Sequence, residues 1–166
     1  MTDNTKLAGY DAQATALKGV NPVNKIKFGV CVKGRKDEDT PESITTTVVK
    51  DAESLSISAD NGIEEWNPMD QEGWVRRLMT SKSLSVSLGG KRNYGDAGND
   101  YVAGLFMKNG QDCNTWFSII FHNLDQLIIP CVVNVTSLGG DSTAADALEW
   151  EVQSDGKPAY IAHEAA

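Results

Sequence analysis

A glycine-rich stretch, GGKRNYGDAGND at residues 89–100, is the first place in the sequence where chemistry could be expected. Its glycines and its Lys-Arg pair could cradle a phosphate, but a P-loop needs GxxxxGK followed by Ser or Thr, an order that does not occur here. Its acids could hold a cation, but Asp96, Asn99 and Asp100 lack the alternate spacing and closing glutamate of a calcium loop. We therefore interpret the stretch as a tight corner between a strand that ends at Leu88 and a helix that begins at Asn99.

The other potentially reactive residues also lack a catalytic pattern. No GxSxG or HExxH motif occurs. His122 follows a hydrophobic run, and His163 lies near the end of the chain. The three cysteines, Cys31, Cys113 and Cys131, are odd in number and widely spaced, which predicts reduced thiols rather than a disulfide framework. We predict a protein that is not an enzyme and that has no metal and no cofactor.

The charge of the chain is divided unevenly. Residues 1–50 hold eight Lys/Arg and six Asp/Glu, a net of +2, whereas residues 51–166 hold seven and seventeen, a net of −10. An acidic body does not bind nucleic acid stably, because that affinity comes from basic groups that neutralise phosphates. The sequence shows no secretory signal, and its longest apolar run, at 127–133, is too short to span a bilayer, so we expect no membrane partner.

Alternating hydrophobic and polar residues predict strands with one dry and one wet face. In KIKFGVCVK at 25–33, Ile26, Phe28, Val30 and Val32 share one face, and the β-branched ITTTVVK follows a charged loop at 34–43. Three further segments have the same pattern, with apolar residues opposite serine or glutamate. They are ESLSISA (Leu55, Ile57 and Ala59 apolar), SLSVSL (Leu84, Val86 and Leu88) and LEWEVQ (Leu148, Trp150 and Val152).

Two nearly continuous apolar runs, WFSII at 116–120 and LIIPCVVNV at 127–135, predict strands that are covered on both faces. Pro130 cannot donate a ladder hydrogen bond and so marks an edge or a bulge. FHNLDQ between the two runs predicts a hairpin turn, and loops are expected at 137–147 and 154–158. Residues 68–82 are ambiguous, and we interpret them as extended.

One helix is predicted in NDYVAGLFMKNG at 99–110, where Tyr101, Val102, Leu105 and Phe106 form a stripe at helical spacing. Asn99 or Asp100 could cap its start, and Gly110 could close its end. The sequence thus predicts a mainly β domain with one flanking α-helix. We divide the chain into an N-terminal arm (1–25), a domain (26–158) and a flexible C-terminal tail (159–166).

Two long stretches resemble one known family: IEEWNPMDQEGWVRRLMTSKSLSVSLGGKRNYGDAGNDYVAGL at 63–105 and GDSTAADALEWEVQSDGKP at 140–158. They are similar to the major tail tube proteins of long-tailed phages that infect Gram-positive bacteria. The resemblance covers about residues 26–158. It implies a β-sandwich or barrel-like domain of which six copies form a ring, and rings that stack into a tube through which DNA leaves the capsid.

The resemblance also implies partners and a location. The partners are other copies of the chain, the tape measure protein, and the tail terminator and tip proteins, with DNA passing through without specific binding. The location is the tail of the virion, after synthesis in the cytoplasm of the bacterial host.

A channel for DNA should repel phosphate, and the acidic part of the chain, residues 51–166, carries the negative charge that does so. We therefore expect Glu149 and Glu151 to face the lumen together with serines of ESLSISA, namely Ser54, Ser56 and Ser58. Mobile or exposed segments are natural joining surfaces, so the arm 1–25 and the loop 34–43 are candidates for contacts between rings. The charged residues of that loop, Arg35, Lys36, Asp37, Glu38 and Asp39, are the candidate contact residues. A second candidate interface is the cluster Trp74, Arg76 and Arg77, because Trp and Arg are favoured in interface cores.

An alternative function from a different class is a carbohydrate-binding β-sandwich that serves in adhesion. That function requires a row of exposed aromatic residues on one sheet face. The wet faces predicted here carry serine and glutamate instead, which disfavours it.

Overall fold

The structure is a computed structural model that describes residues 7–8 and 18–163. In this part of the chain, nine strands form one sheet and eight residues form an α-helix, α1 (Ala97–Gly104). Short 3-10 turns lie at Val23–Lys25, Met69–Gln71 and Gly110–Cys113. The strands are β1 (Leu7–Ala8), β2 (Lys27–Val30), β3 (Thr46–Val48), β4 (Ala52–Trp66), β5 (Arg76–Lys91), β6 (Asn114–Ile120), β7 (Gln126–Gly139), β8 (Ala147–Ser154) and β9 (Ala159–Ile161).

The sheet curls like an open barrel. Its hydrogen-bonded order is β1-β3-β2-β6-β7-β8-β5-β4, with β9 also paired to β7, and every pair except β1–β3 is antiparallel. Strands β3 and β4 lie near opposite ends of this order, yet only residues 49–51 connect them. The sheet must therefore curl until its two ends meet, and a cleft of about 270 Å³ lies between them. The prediction of a mainly β, barrel-like domain with one helix is confirmed.

The hydrophobic core fills the inside of the curled sheet. Phe117 of β6 stacks on Phe28 with ring centroids 5.8 Å apart, and it meets the edge of Trp150 at 5.9 Å. Helix α1 closes the core with the buried side chain of Val102. The apolar residues predicted in SLSVSL and LEWEVQ all pack in or against this core: Leu84, Val86, Leu88, Leu148, Trp150 and Val152. Burial of such side chains contributes about 1.5–3 kcal/mol each and stabilises the barrel.

The prediction for ESLSISA is correct only at its start. Leu55 packs against the core, but Ile57 is 37% exposed and Ala59 is also exposed. Ile57 lies opposite Val86, which pairs with β8, so its exposure follows from the position of β4 as the last strand in the sheet order. Ala59 lies opposite Leu84, outside the stretch of β5 that pairs with β8 from Ser85 onward, so it belongs to a two-stranded hairpin formed by the outer parts of β4 and β5. Val32 is likewise 38% exposed, because β2 ends at Val30.

The predicted helix boundaries are wrong at both ends. Helix α1 begins at Ala97, and its cap is Asp96, whose carboxylate accepts a hydrogen bond from the Asn99 backbone N–H at 3.1 Å. The helix ends at Gly104, and Gly110, with φ of 63°, opens a 3-10 turn instead of closing the helix. An N-cap side chain usually accepts from the backbone N–H two or three residues after it, as Asp96 does here. The side chain of Asn99 makes other hydrogen bonds, which are described below.

Pro130 lies where the neighbour of β7 changes. Strand β7 pairs with β9 over residues 126–128 and with β8 from Cys131 onward. The Pro130 carbonyl accepts a hydrogen bond from the Asp155 N–H at 2.7 Å. The imino nitrogen points to the same side of β7, between the stretch that pairs with β9 and the stretch that pairs with β8, so no ladder hydrogen bond lacks its donor. The irregularity of β7 lies between Val135 and Ser137 instead. From Val132 onward β7 is not covered on both faces, since Val132 and Asn134 are exposed.

Short strands lie within both the predicted arm and the predicted tail. Leu7 and Ala8 pair with β3, and residues 159–161, which were expected to be part of a flexible tail, form β9. Residues 1–6, 9–17 and 164–166 lie outside the described part of the chain, and so do the predictions that fall on them.

Candidate functional site

The glycine-rich corner is built around one buried amide. Asn99 is 1% exposed, and its side-chain NH₂ donates to the carbonyls of Lys50 at 3.1 Å and Lys91 at 2.9 Å. Its side-chain oxygen accepts from Asn93 N–H and from the Arg92 guanidinium, both at 3.0 Å. The same hydrogen-bonding groups that could have held a phosphate or a cation are therefore occupied in joining the helix to the sheet.

Arg92 completes this corner. It donates to Asp100 Oδ1 at 2.7 Å and lies 4.0 Å from the centre of the Tyr94 ring. The hydrogen bond from Arg92 is the main reason why the pKa of Asp100 is lowered. Among the described residues, no cluster of His, Cys, Asp or Glu has a geometry that could hold a metal ion.

The two histidines take part in hydrogen bonds that join segments of the fold, and the cysteines are buried. His122 Nε2 lies 2.7 Å from the Pro22 carbonyl oxygen, and the His163 backbone N–H donates to Asp125 Oδ1 at 2.7 Å. All three cysteines are buried free thiols. Burial raises the pKa of Cys131 to about 12, so this thiol is not a ready nucleophile.

The structure brings the predicted lumen residues together on one sheet face. The register across β4, β5 and β8 aligns three rows, which are Ser54–Gly89–Glu149, Ser56–Ser87–Glu151 and Ser58–Ser85–Gln153. No Lys or Arg stands in these rows, and a shallow groove of about 280 Å³ runs over the first two. We call this surface the wet face. Its hydroxyls and two carboxylates give it a hydrated, negatively charged character.

Among the strands that the structure describes, β4 is an open edge beside the wet face. It is the last strand in the hydrogen-bonded order, and it pairs with β5 along its fifteen residues. A long open edge is a template for pairing with another chain. The wet face could therefore continue into a neighbouring molecule.

The two-stranded hairpin, which comprises the parts of β4 and β5 between Ser58 and Ser85, carries the second predicted interface. Trp74 is 75% exposed at its tip. The Arg76 guanidinium lies 5.9 Å from the centre of the Trp66 ring, and Arg77 Nε donates to Glu65 Oε1 at 2.7 Å. The predicted interface cluster did not include Trp66 and Glu65. The signal that could have found them is their position opposite the two arginines in a hairpin register.

The charged loop at 34–43 is confirmed as a loop without regular strand or helix, but its residues serve different purposes. Arg35 pairs with Asp155 at 2.5 Å, and its side chain is only 16% exposed, so it anchors the loop to the barrel. The Asp39 carboxylate accepts from the Lys36 N–H at 2.9 Å and shapes the turn. Lys36, Asp37 and Glu38 are exposed.

In the described part of the chain, the exposed aromatic residues do not form the row that a carbohydrate-binding face requires. Trp66 and Trp74 lie on the hairpin, Tyr94 lies on Arg92, and Phe106 follows α1. Tyr160 of β9 donates to Asp125. Within residues 18–163, no helix is long and apolar enough to cross a membrane.

Comparisons with known proteins identify the fold. No family model and no curated protein sequence matches this chain. A chain in a structure of the tail of an empty gene transfer agent particle, obtained by helical refinement with C6 symmetry, matches with a TM-score of 0.66. The two share 16% identity, and the match covers 86% of this chain and 100% of that one. A chain in the virion of a native gene transfer agent particle matches with the same TM-score and coverage at 14% identity. The barrel described above is thus a fold that occurs in phage-like tails.

Proposed function

We propose that this chain is a structural subunit of a phage-like tail tube, in which six copies form a ring and stacked rings conduct DNA. The observation that carries this function is the wet face beside the open edge of β4. Lateral pairing at that edge would join the sheets of neighbouring copies into a continuous wall. The fold shared with a chain of a C6-symmetric tail supports the sixfold arrangement.

The wet face has the chemistry that the inner surface of such a tube needs. Serine hydroxyls keep the surface hydrated, while Glu149 and Glu151 repel the phosphates of a passing duplex. In this role the wet face lines the channel, and the loop 34–43 and the β4–β5 hairpin join successive rings. The further partners are the tape measure, terminator and tip proteins, and the location is the virion tail.

Electron microscopy of the purified, concentrated protein tests the proposal. Negative-stain images should show rings or tubes with sixfold end views, and sedimentation velocity should show their growth with protein concentration. A protein that stays monomeric at every concentration and binds a glycan array would contradict the proposal and favour the carbohydrate-binding alternative.

A further inference from the structure

The outer end of the β4–β5 hairpin is both apolar and acidic. We call residues 60–75 the hairpin tip. Its large apolar side chains are exposed to solvent: Ile63 at 54%, Trp66 at 41%, Met69 at 101% and Trp74 at 75%. All of its charged residues are acidic: Asp60, Glu64, Glu65, Asp70 and Glu72, of which Glu65 pairs with Arg77 just outside the tip. An exposed apolar patch of this kind marks an interaction site, and its charge requires a basic receptor.

The chain carries a surface of the opposite charge on the approach to β2. We call residues 18–25 the basic segment. Lys18 and Lys25 are exposed there, together with Val20 at 103% and Val23 at 57%. No Asp or Glu occurs from residue 18 to residue 36. The contact between His122 and the Pro22 carbonyl and the 3-10 turn at Val23–Lys25 fix the segment to the barrel.

We propose that the hairpin tip of one copy docks on the basic segment of a second copy. The inference rests on the proposed self-assembly and names the two surfaces that meet. Met69 and Val20 are both fully exposed in the single chain, so the tip does not cover the basic segment of its own molecule. Because the two surfaces differ, each docked copy still offers a tip and a segment to further copies. Such a head-to-tail contact propagates, as a ring or a tube requires.

A second pair of exposed lysines, Lys33 and Lys36, forms a poorer receptor. Lys33 and Lys36 lie at the far end of β2, and Asp37, Glu38 and Asp39 follow directly in the sequence. These acids cancel the local positive charge. Lys33 and Lys36 therefore provide a matched control with the same number and type of charges.

Charge reversal with reciprocal rescue tests the contact in the full-length protein. Asp70→Lys with Glu72→Lys should raise the concentration needed for assembly by about tenfold, because like charges then face each other across the contact. Lys18→Glu with Lys25→Glu should have the same effect. The combination of all four changes should restore assembly at the wild-type concentration. Combining the tip reversal with Lys33→Glu and Lys36→Glu should not restore it.

Thermal melting of each variant checks that the fold is kept, which is expected because all substituted residues are exposed. Assembly that is unchanged by either reversal, or that is rescued equally by the Lys33 and Lys36 changes, would overturn the docking contact. Failure of the wild-type protein to assemble at any concentration would instead contradict the proposed function itself.

Discussion

Gly98 of helix α1 packs directly against the backbone of Val48 in β3. A Cβ added at Gly98 would lie 2.4 Å from the Val48 carbonyl oxygen and 3.0 Å from its carbonyl carbon. Helix and strand can approach this closely only because residue 98 has no side chain. The contact holds the helix over the short connection that brings the two ends of the sheet together.

Gly98→Ala should therefore destabilise the protein by about 1–3 kcal/mol, because the atom it meets is backbone that cannot rotate away. Gly104→Ala in the same helix is the control, since no atom lies within 4 Å of its Cβ position. That change should be neutral or stabilise by up to about 1 kcal/mol through helix propensity. Urea denaturation measures both variants, and equal stabilities would contradict the packing described here.

Asn99→Ala should lower the free energy of unfolding by about 2–3 kcal/mol. The substitution leaves the carbonyls of Lys50 and Lys91 and the Asn93 N–H without their partner at a buried position. Asn109→Ala, at an exposed asparagine without a side-chain cap bond, is the matched control and should change stability by less than about 0.5 kcal/mol. A small effect at both positions would show that Asn99 does not hold the corner together.

The strand faces could be predicted from the sequence because a strand has a period of two, whatever its neighbours are. The alternation in SLSVSL and LEWEVQ identified the dry and wet faces correctly. The same alternation in ESLSISA misled at Ile57, because β4 is the last strand in the sheet order and the alternation does not show whether a strand lies at an edge. Strand order is a property of the whole chain and leaves no mark in a seven-residue pattern.

The candidate site, like the fold, could be predicted where it depends on neighbouring residues in the sequence and not where it depends on distant ones. Glu149, Glu151 and the serines could be assigned to wet faces one strand at a time, but only the register of β4, β5 and β8 places them in common rows. The helix start was missed because Asp96, Asn99 and Asp100 are all competent caps. The side chain of Asn99 instead donates to the backbone carbonyl of Lys50, which is far away in sequence, and Asp96 is left to cap the helix.

The C-terminal strand β9 should be held in place by an ionised Asp125. The pKa of Asp125 is lowered mainly by the hydrogen bond from the His163 N–H, then by that from the Tyr160 hydroxyl. A lowered pKa in the folded state means that the contribution to stability is complete above the unfolded value near 3.8 and is lost as the pH falls through the folded value. The nearby titratable side chains that act on Asp125 are those of His163 and Tyr160.

Asp125→Asn should therefore speed hydrogen exchange of the β9 amides at pH 7, and the difference from wild type should shrink as the pH falls below 3.8. Hydrogen exchange with mass spectrometry of the C-terminal peptide measures this. Asp112→Asn, at another exposed aspartate, should leave the exchange of β9 unchanged. A difference between wild type and Asp125→Asn that persists unchanged at low pH would rule out the charge as its cause.

Glu149→Lys combined with Glu151→Lys should convert the proposed tube into one that retains DNA. Four units of charge per subunit change on the wet face, so a channel that repels phosphate would attract it, and the retention should weaken as salt rises. Co-sedimentation of tubes with a short duplex measures binding. The same charge change at the exposed Asp112 and Asp141, which lie off the wet face, is the control. Equal retention in both variants, or tubes whose structure places both glutamates on the outside, would refute the assignment of the channel.

Deletion of residues 35–42 should leave a folded monomer that no longer forms tubes. The loop carries the exposed Asp37 and Glu38 but contributes little to the core, and its deletion removes the ion pair between Arg35 and Asp155. Arg35→Ala removes that pair alone and should still assemble, with a melting temperature within about 5 °C of wild type, because an ion pair near the surface contributes at most about 1 kcal/mol. Electron microscopy and thermal melting of both variants separate loss of contact from loss of fold. Normal tubes from the deletion variant would show that rings join without this loop.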